Sequence, residues 1–346
     1  MAPPTNPEKQ PPSIPSYTPP TSFPLSLIPS SWIPFAELIR LHQPHGLYMT
    51  YFPNLLGLLY ASCAHPSGPI PPLNLAHSAA SLLLWTFLFR SVGCAWNDII
   101  DQDYDRKTTR CKNRPLARRA ISTPSALAFT LVLLLLSLAS LEALVIGNTP
   151  SKNDNTKTAI RMLGPSLLAQ AAVYPFGKRF THFAQVVLGT TLATSVPLAA
   201  YAVGVPALEG EFLLPTGCFA GVVVLLVVFY DVVYARQDTA DDLANGVKGM
   251  AVRFRDHLEV LFAVVTVGIV GLAVVAGAGL GAGRGYYLFS VGVVGVVLVL
   301  VVARTRWGFL SSWQGSGGWW YAFAVGNLML GLAVEDWGRR QVRGIV

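Results

Sequence analysis

The chain has 346 residues, of which 52% are hydrophobic and only 12% charged. A soluble domain carries roughly 25% charged residues, so 25 Lys+Arg and 18 Asp+Glu cannot coat a soluble fold of this length. This excludes an ordinary cytosolic enzyme and a disordered chain and indicates an all-α polytopic membrane protein, whose net charge of +7 belongs to membrane-flanking loops rather than to a nucleic-acid surface.

Residues 1–34 hold 11 of the 25 prolines and no arginine. Proline this dense blocks helix, so a disordered or polyproline-like tail is expected ahead of a membrane domain over residues 35–346. The tail lacks both the apolar core of a signal peptide and the Arg-rich, amphipathic pattern of a mitochondrial transit peptide. From residue 35 onward, nine apolar segments approach bilayer-spanning length: 36–63, 76–98, 123–145, 158–176, 183–203, 212–236, 257–279, 286–304 and 318–337. Arg40, His42 and His45 interrupt the first. The histidines read as helix-facing polar groups rather than catalytic bases, and the stretch Tyr48, Tyr51, Phe52, Pro53 and Asn54 as helix packing, with the lining of an acceptor pocket as its alternative. The seventh and eighth are rich in Gly and Val, which fits either close helix packing or a lipid-facing surface. Trp319, Trp320 and Tyr321 read as an interfacial belt. Cys63, Cys94, Cys111 and Cys218 are scattered without CxxC spacing, so neither a zinc site nor a disulfide framework is indicated.

With nine spans, the tail and the loops after even-numbered segments share one side. Those loops carry 15 Lys and Arg, against 7 on the other side, which places them in the cytoplasm.

The acids are unevenly spread. The second segment ends Asn97-Asp98-Ile-Ile-Asp101-Gln-Asp103-Tyr-Asp105, and the sixth ends Asp231-Val-Val-Tyr234-Ala-Arg-Gln237-Asp238-Thr-Ala-Asp241-Asp242. These two windows hold eight of the 18 acids, and both emerge on the same side. On a helix, Asp98, Asp101 and Asp105 share a face, as do Asp238 and Asp242. Asp103 falls on the opposite face, a structural position; Asp241 stays ambiguous. Like charges stacked this way destabilise a helix unless a cation offsets them. Oxygen-only ligands favour Mg²⁺. The plain alternative is a solvated acidic loop; a cation path through the membrane would need acids near mid-span. Bases follow each window: Arg106, Lys107, Arg110, Lys112 and Arg114, then Lys248, Arg253 and Arg255. Acids for a metal beside Lys and Arg suit a diphosphate, and a diphosphate whose apolar part lies between membrane helices is an isoprenoid diphosphate.

Residues 97–105 fit NDxxDxxxD, followed by Arg114-Pro115-Leu116, and residues 230–248 fit YDxxYAxQDxxDDxxxGVK. Between them, Tyr174-Pro175-Phe-Gly-Lys178-Arg179-Phe-Thr181 fits YPxxKRxT, and Arg40 to Gly46 fits RxxxPxG. Over residues 36–337 the chain resembles the UbiA superfamily of intramembrane aromatic prenyltransferases, in its fungal meroterpenoid branch. The resemblance implies about nine transmembrane helices around a central cavity. It implies that Asn97, Asp98, Asp101 and Asp105 hold Mg²⁺ and diphosphate, that Asp238 and Asp242 hold a second Mg²⁺, and that Lys107, Arg114, Lys178 and Lys248 contact the diphosphate. Arg40 is the cation expected near the carboxylate of the acceptor. Two departures fall in loops: Ala117-Arg118-Arg119 follows Leu116, and Gly249 follows Lys248. The implied reaction is C-alkylation of a polyketide-derived phenolic acid or pyrone, with farnesyl diphosphate as donor, in a non-mitochondrial endomembrane such as the endoplasmic reticulum. A 4-hydroxybenzoate polyprenyltransferase of ubiquinone synthesis and a terpene cyclase on the same fold remain alternatives.

Overall fold

The structure, a computed structural model, describes residues 17–18, 23–151, 153–306 and 318–344. Most of the proline-rich tail, and with it the expectation of disorder, lies outside the described residues. The described part forms short 3₁₀ turns at Leu25–Leu27 and Ser30–Trp32.

Fourteen α-helical pieces follow among the described residues. They are α1 Ile33–Leu38, α2 His45–Ala64, α3 Pro72–Asp105, α4 Thr123–Ser140, α5 Asp154–Phe180, α6 Ala184–Ala193 and α7 Ser195–Ala202. The remainder are α8 Leu213–Ala235, α9 Thr239–Ala244, α10 Met250–Arg253, α11 Leu258–Leu280, α12 Arg284–Tyr286, α13 Val294–Arg306 and α14 Gly318–Val342. A π-helical stretch at Leu141–Ile146 prolongs α4, and another at Tyr287–Val293 joins α12 to α13. No strand occurs among the described residues. The all-α expectation therefore holds, and each expected apolar segment contains helix.

Two segments differ in detail. The first is not one helix: α1 and α2 are separated because Arg40 takes a left-handed conformation, φ +57°. That residue ends α1 in the manner usually reserved for glycine, with the Leu41 N–H reaching back to the Ala36 carbonyl at 2.9 Å. The fifth breaks at Thr194, between α6 and α7. Five helical stretches among the described residues are long and apolar enough to cross a membrane: Pro72–Asp105, Thr123–Ile146, Gly210–Ala244, Leu258–Leu280 and Arg284–Arg304. Their outer faces carry exposed Leu131, Val132 and Leu135 on α4, Val264 and Val267 on α11, and Val296 and Val299 on α13. Water would penalise so continuous an apolar exterior, whereas lipid accepts it. The chain is an integral membrane protein.

The interior is organised on α8, which packs against α11 on one side and α6 on the other. Its Phe219, Val222, Val223, Leu226 and Val227 are fully buried. In lipid, helices associate through close packing rather than through burial from water, so small residues at contacts matter. At Gly57, a Cβ would lie 2.5 Å from the Val196 carbonyl oxygen, so α2 meets α7 backbone to backbone. The glycines of α11 serve both purposes left open above. Gly277 is covered by the Tyr286 ring, whereas Gly271 is exposed and has open space beside it.

This contrast yields a stability test. Gly57→Ala is expected to destabilise the protein by about 1–3 kcal/mol, the usual range for overpacking. Gly271→Ala is expected to be neutral or to add up to about 1 kcal/mol from helix propensity. Thermal unfolding of both variants in detergent checks the pair.

Candidate active site

Helix α3 has 34 residues, a length of roughly 51 Å at 1.5 Å per residue. A hydrocarbon core is about 30 Å thick, so the acidic end of α3 reaches the interface. Asp98, Asp101 and Asp105 share its inner face and are 0%, 2% and 6% exposed. Asp103 lies on the outer face and pairs with Arg106 at 2.9 Å, the structural position expected for it.

Buried carboxylates need partners, and the fold supplies them from distant stretches. Arg40 grips Asp98 with both guanidinium nitrogens, at 2.6 and 2.9 Å. Arg114, in the loop after α3, bridges Asp98 at 3.2 Å and Asp105 at 2.8 Å. Burial opposes the charge on Arg114, but Asp98 and Asp105 outweigh it and hold its pKa well above the ordinary value. Lys178, at the end of α5, pairs with Asp101 at 2.8 Å. Arg110 joins the two acidic windows: it pairs with Asp238 at 2.6 Å and donates to the Tyr234 hydroxyl at 2.8 Å. Asp241, ambiguous in sequence, accepts the Thr109 backbone N–H at 2.8 Å and so ties the start of α9 to the same loop.

Three cavities meet at this end. A polar cavity of about 210 Å³ is lined by Asn97, Asp101, Asp105, Arg114, Lys178, Asp238, Asp242 and Lys248, with Arg110, Tyr174, Gln185, Asp231 and Tyr234. Beside it, a cavity of about 420 Å³ is lined by Glu37, Arg40, His42, His45, Arg114, Arg118 and Tyr234 among others. An apolar groove of about 670 Å³ runs between α2 and α14, past Met49, Phe52, Leu55, Tyr230, Tyr321 and Met329. Tyr230 in the groove stacks on Tyr234, which lines both polar cavities, with ring centroids 6.3 Å apart.

Eight of the sequence-derived residues thus surround one space: Asn97, Asp101, Asp105, Arg114, Lys178, Asp238, Asp242 and Lys248. Asp98 is sealed behind Arg40 and Arg114 and does not line it. Lys107 is exposed and lines none of the three cavities. Arg40 lines the second cavity while bound to Asp98. In sequence, Arg110 stands among the bases, Asp231 in the second window and Tyr174 in the third motif without an assigned role, and nothing singles out Gln185. Asp231 lies seven residues before Asp238, the spacing that puts two side chains near one helix face; its carboxyl accepts a bond from Gln185. Tyr174 opens the YPxxKRxT motif, whereas Gln185 stands in an apolar segment with no local sign of a role. His42 sits in the break between α1 and α2 rather than on a helix, and Tyr321 packs against Tyr230, 4.8 Å between centroids, while Trp319 is exposed like a belt residue. Tyr51 and Asn54 pack as expected, donating to the Ala79 carbonyl and to Thr86.

Among the described residues, no three acids converge closely enough to hold an ion by themselves. One oxygen, however, is conspicuous: Asp101 Oδ1 is buried and has no partner. Mg²⁺ needs only one or two carboxylates when substrate phosphates supply further oxygens. The donor set therefore fits a magnesium ion that binds together with a diphosphate.

The Arg40–Asp98 pair makes a second prediction. Removing one member of a buried pair typically costs about 3–5 kcal/mol, and Arg40→Met, which keeps the left-handed backbone and removes only the cation, is expected to fall in this range. Thermal unfolding in detergent measures it, with Arg106→Met, whose pair is exposed, as the near-neutral control.

Residues 50–308 match the UbiA prenyltransferase family. The chain is 51% identical over 330 residues to the prenyltransferase ascA of Acremonium egyptiacum, covering 95% of this chain and 93% of that protein. It is 45% identical to the prenyltransferase stbC of Stachybotrys bisbyi, over 91% of this chain and 90% of that one. It is 35% identical to the DMOA farnesyltransferase nvfB of Aspergillus novofumigatus, over 78% and 80%. Among solved structures, a UbiA homolog from Aeropyrum pernix aligns with a TM-score of 0.62 at 20% identity, covering 86% of this chain and 98% of that one. A UbiA homolog from Archaeoglobus fulgidus bound to GPP and Mg²⁺ aligns with a TM-score of 0.58 at 17% identity, covering 88% and 99%. Sequence and fold agree with the site built above: the chain belongs to the UbiA prenyltransferase family and is a membrane prenyltransferase.

Proposed function

We propose that the protein transfers a farnesyl group from farnesyl diphosphate to a ring carbon of a polyketide-derived aromatic acid, in meroterpenoid biosynthesis. The observation that carries this reading is the adjacency of two cavities: a small polar chamber suited to a diphosphate is lined by Tyr234, and an apolar groove suited to an isoprenoid chain is lined by Tyr230, whose ring stacks on that of Tyr234. The printed name of the relative nvfB, a farnesyltransferase, and the GPP and Mg²⁺ held by the Archaeoglobus fulgidus homolog support it.

Lys178, Arg110, Arg114 and Lys248 would receive the diphosphate, with Asn97 as an uncharged donor. Asp101, Asp105, Asp238 and Asp242 would hold Mg²⁺ with it. Bound there, Mg²⁺ supplies Lewis-acid neutralisation of the leaving group. The C1–O bond of the donor then breaks, and its electron pair leaves with the diphosphate. Tyr174, Tyr230 and Tyr234 offer ring faces to the allylic cation, and the apolar groove excludes water that would quench it. A π pair of the acceptor ring forms the new bond to C1, and loss of the ring proton restores aromaticity. The acceptor occupies the 420 Å³ cavity, whose inner wall carries Arg40 and Arg114 for its carboxylate. Asp98 acts through these two cations as a positioning residue. The acid-bearing helix ends face the cytoplasm from a non-mitochondrial endomembrane such as the endoplasmic reticulum.

Microsomes containing the protein, supplied with geranyl, farnesyl and geranylgeranyl diphosphates and a panel of aromatic polyketide acids, test the reading. Farnesyl transfer is expected to dominate and to stop on chelation of Mg²⁺. Asp101→Asn and Asp238→Asn are each expected to lower kcat at least about 100-fold, the scale of losing one preorganised electrostatic group. Asp103→Asn, on the outer face, should leave it unchanged. Full turnover in either inner-face variant contradicts the assignment, and a hydrocarbon formed without acceptor would favour cyclisation instead.

A further inference from the structure

One wall of the 420 Å³ cavity comes from outside the acidic motifs and outside the helices. Tyr17, in the proline-rich segment, lines it. The Tyr17 hydroxyl donates to Glu37 Oε1 in α1. Its ring lies beneath the Arg118 guanidinium, with 4.2 Å from the centroid to Cζ. Arg118 in turn pairs with Glu37 Oε2 at 2.5 Å and donates to the Asn113 carbonyl at 2.5 Å. Glu37 is 3% exposed. Three separate stretches, the tail segment, α1 and the loop between α3 and α4, are thus clasped around one buried carboxylate. Burial first, and then Glu37, push the Tyr17 phenol up to about 12, so it remains protonated and able to donate at neutral pH.

The same cavity carries a sign of an absent partner. His42 Nδ1 is buried and has no hydrogen-bond partner among the described residues. Burial first, then Arg40 and Arg90, lower the His42 pKa against the pull of Glu37, which favours the neutral ring. The cavity thus offers a neutral imidazole nitrogen for a ligand hydroxyl, guanidinium groups for a carboxylate, and the aromatic side chains of Tyr17 and Tyr234 in its lining.

We propose that Tyr17 is a specificity-determining residue: the Tyr17–Glu37–Arg118 clasp closes the outer wall of the acceptor cavity and limits the size of the aromatic acid that fits. The inference rests on the assignment of this cavity to the acceptor. Tyr17 does not line the diphosphate chamber, so its loss should affect acceptor and donor differently.

The test uses the full-length chain in microsomes, with farnesyl diphosphate and either 2,4-dihydroxy-6-methylbenzoic acid or its 6-pentyl homologue. Tyr17→Ala is expected to raise KM for the methyl acid about tenfold, the scale of losing one apolar wall contact with the bound acid, and to leave KM for farnesyl diphosphate within about twofold. The ratio of kcat/KM for pentyl over methyl acid should shift about tenfold toward the larger acid. Tyr17→Phe keeps the ring and should retain the wild-type size preference. Transfer by Tyr17→Ala with unchanged acceptor KM and size preference overturns the clasp's role while leaving the farnesyltransferase reading intact; so does a parallel rise in both KM values. No transfer by the wild-type chain to either acid overturns the functional reading, and the clasp's role with it.

Discussion

Asp98 is the point on which the rest of the site depends. It is fully buried at the end of a membrane helix, where an unpaired carboxylate would be prohibitive. Two guanidinium groups meet it, and each reshapes the chain to do so. Arg40 accepts a left-handed backbone, which ends α1 and separates it from α2. Arg114 draws the loop after α3 back over the helix end, where Leu116 packs with Leu38, Ala95, Ile99 and Ala126 in a small second core. With Asp98 held, its neighbour one turn on, Asp101, faces the chamber beside Lys178, and the same loop brings Arg110 to Asp238. One buried charge thereby arranges both acidic windows about a common space.

The far end of α14 shows such charges paired among themselves. Glu335, Asp336, Arg339 and Arg340 on α14 form i,i+4 pairs at 2.8 and 2.7 Å. Ser62 donates to Asp336, and Arg339 and Arg340 donate to the carbonyls of Cys63, Leu280 and Ile70. Among the described residues, this network leaves no buried polar side-chain atom of those four residues unpaired. At the site end, Asp101 Oδ1 and His42 Nδ1 are left without partners, one in each polar cavity. Buried polar atoms are costly unless something satisfies them, so these two atoms are positions where a bound ligand would be stabilised.

Much of this was legible in the chain. Hydropathy and charge scarcity gave the all-α membrane class, and the helical period gave the shared face of Asp98, Asp101 and Asp105 and the outward turn of Asp103. What stayed hidden were relations that no local pattern encodes. Hydropathy carries no record of φ, so the break at Arg40 was read as an interruption within one segment. Counting bases behind an acidic window does not say which of them reaches the site: Lys107 and Arg110 look alike in sequence and both are exposed, yet only Arg110 lines the polar cavity and pairs with Asp238 of the second window. Tyr17 stands in a segment whose composition predicts no structure at all, and only contacts 20 and about 100 residues away give it a place.

The central claim is that two acidic windows form one chamber that binds a diphosphate together with Mg²⁺. The direct measurement is the thermal unfolding midpoint of the purified protein with farnesyl thiolodiphosphate, a slowly reacting donor analogue, in the presence and absence of Mg²⁺, with no acceptor added. The account predicts stabilisation that requires Mg²⁺ and is lost in both Asp101→Asn and Asp238→Asn, one from each window. Equal stabilisation without Mg²⁺, or full stabilisation in either variant, would contradict it.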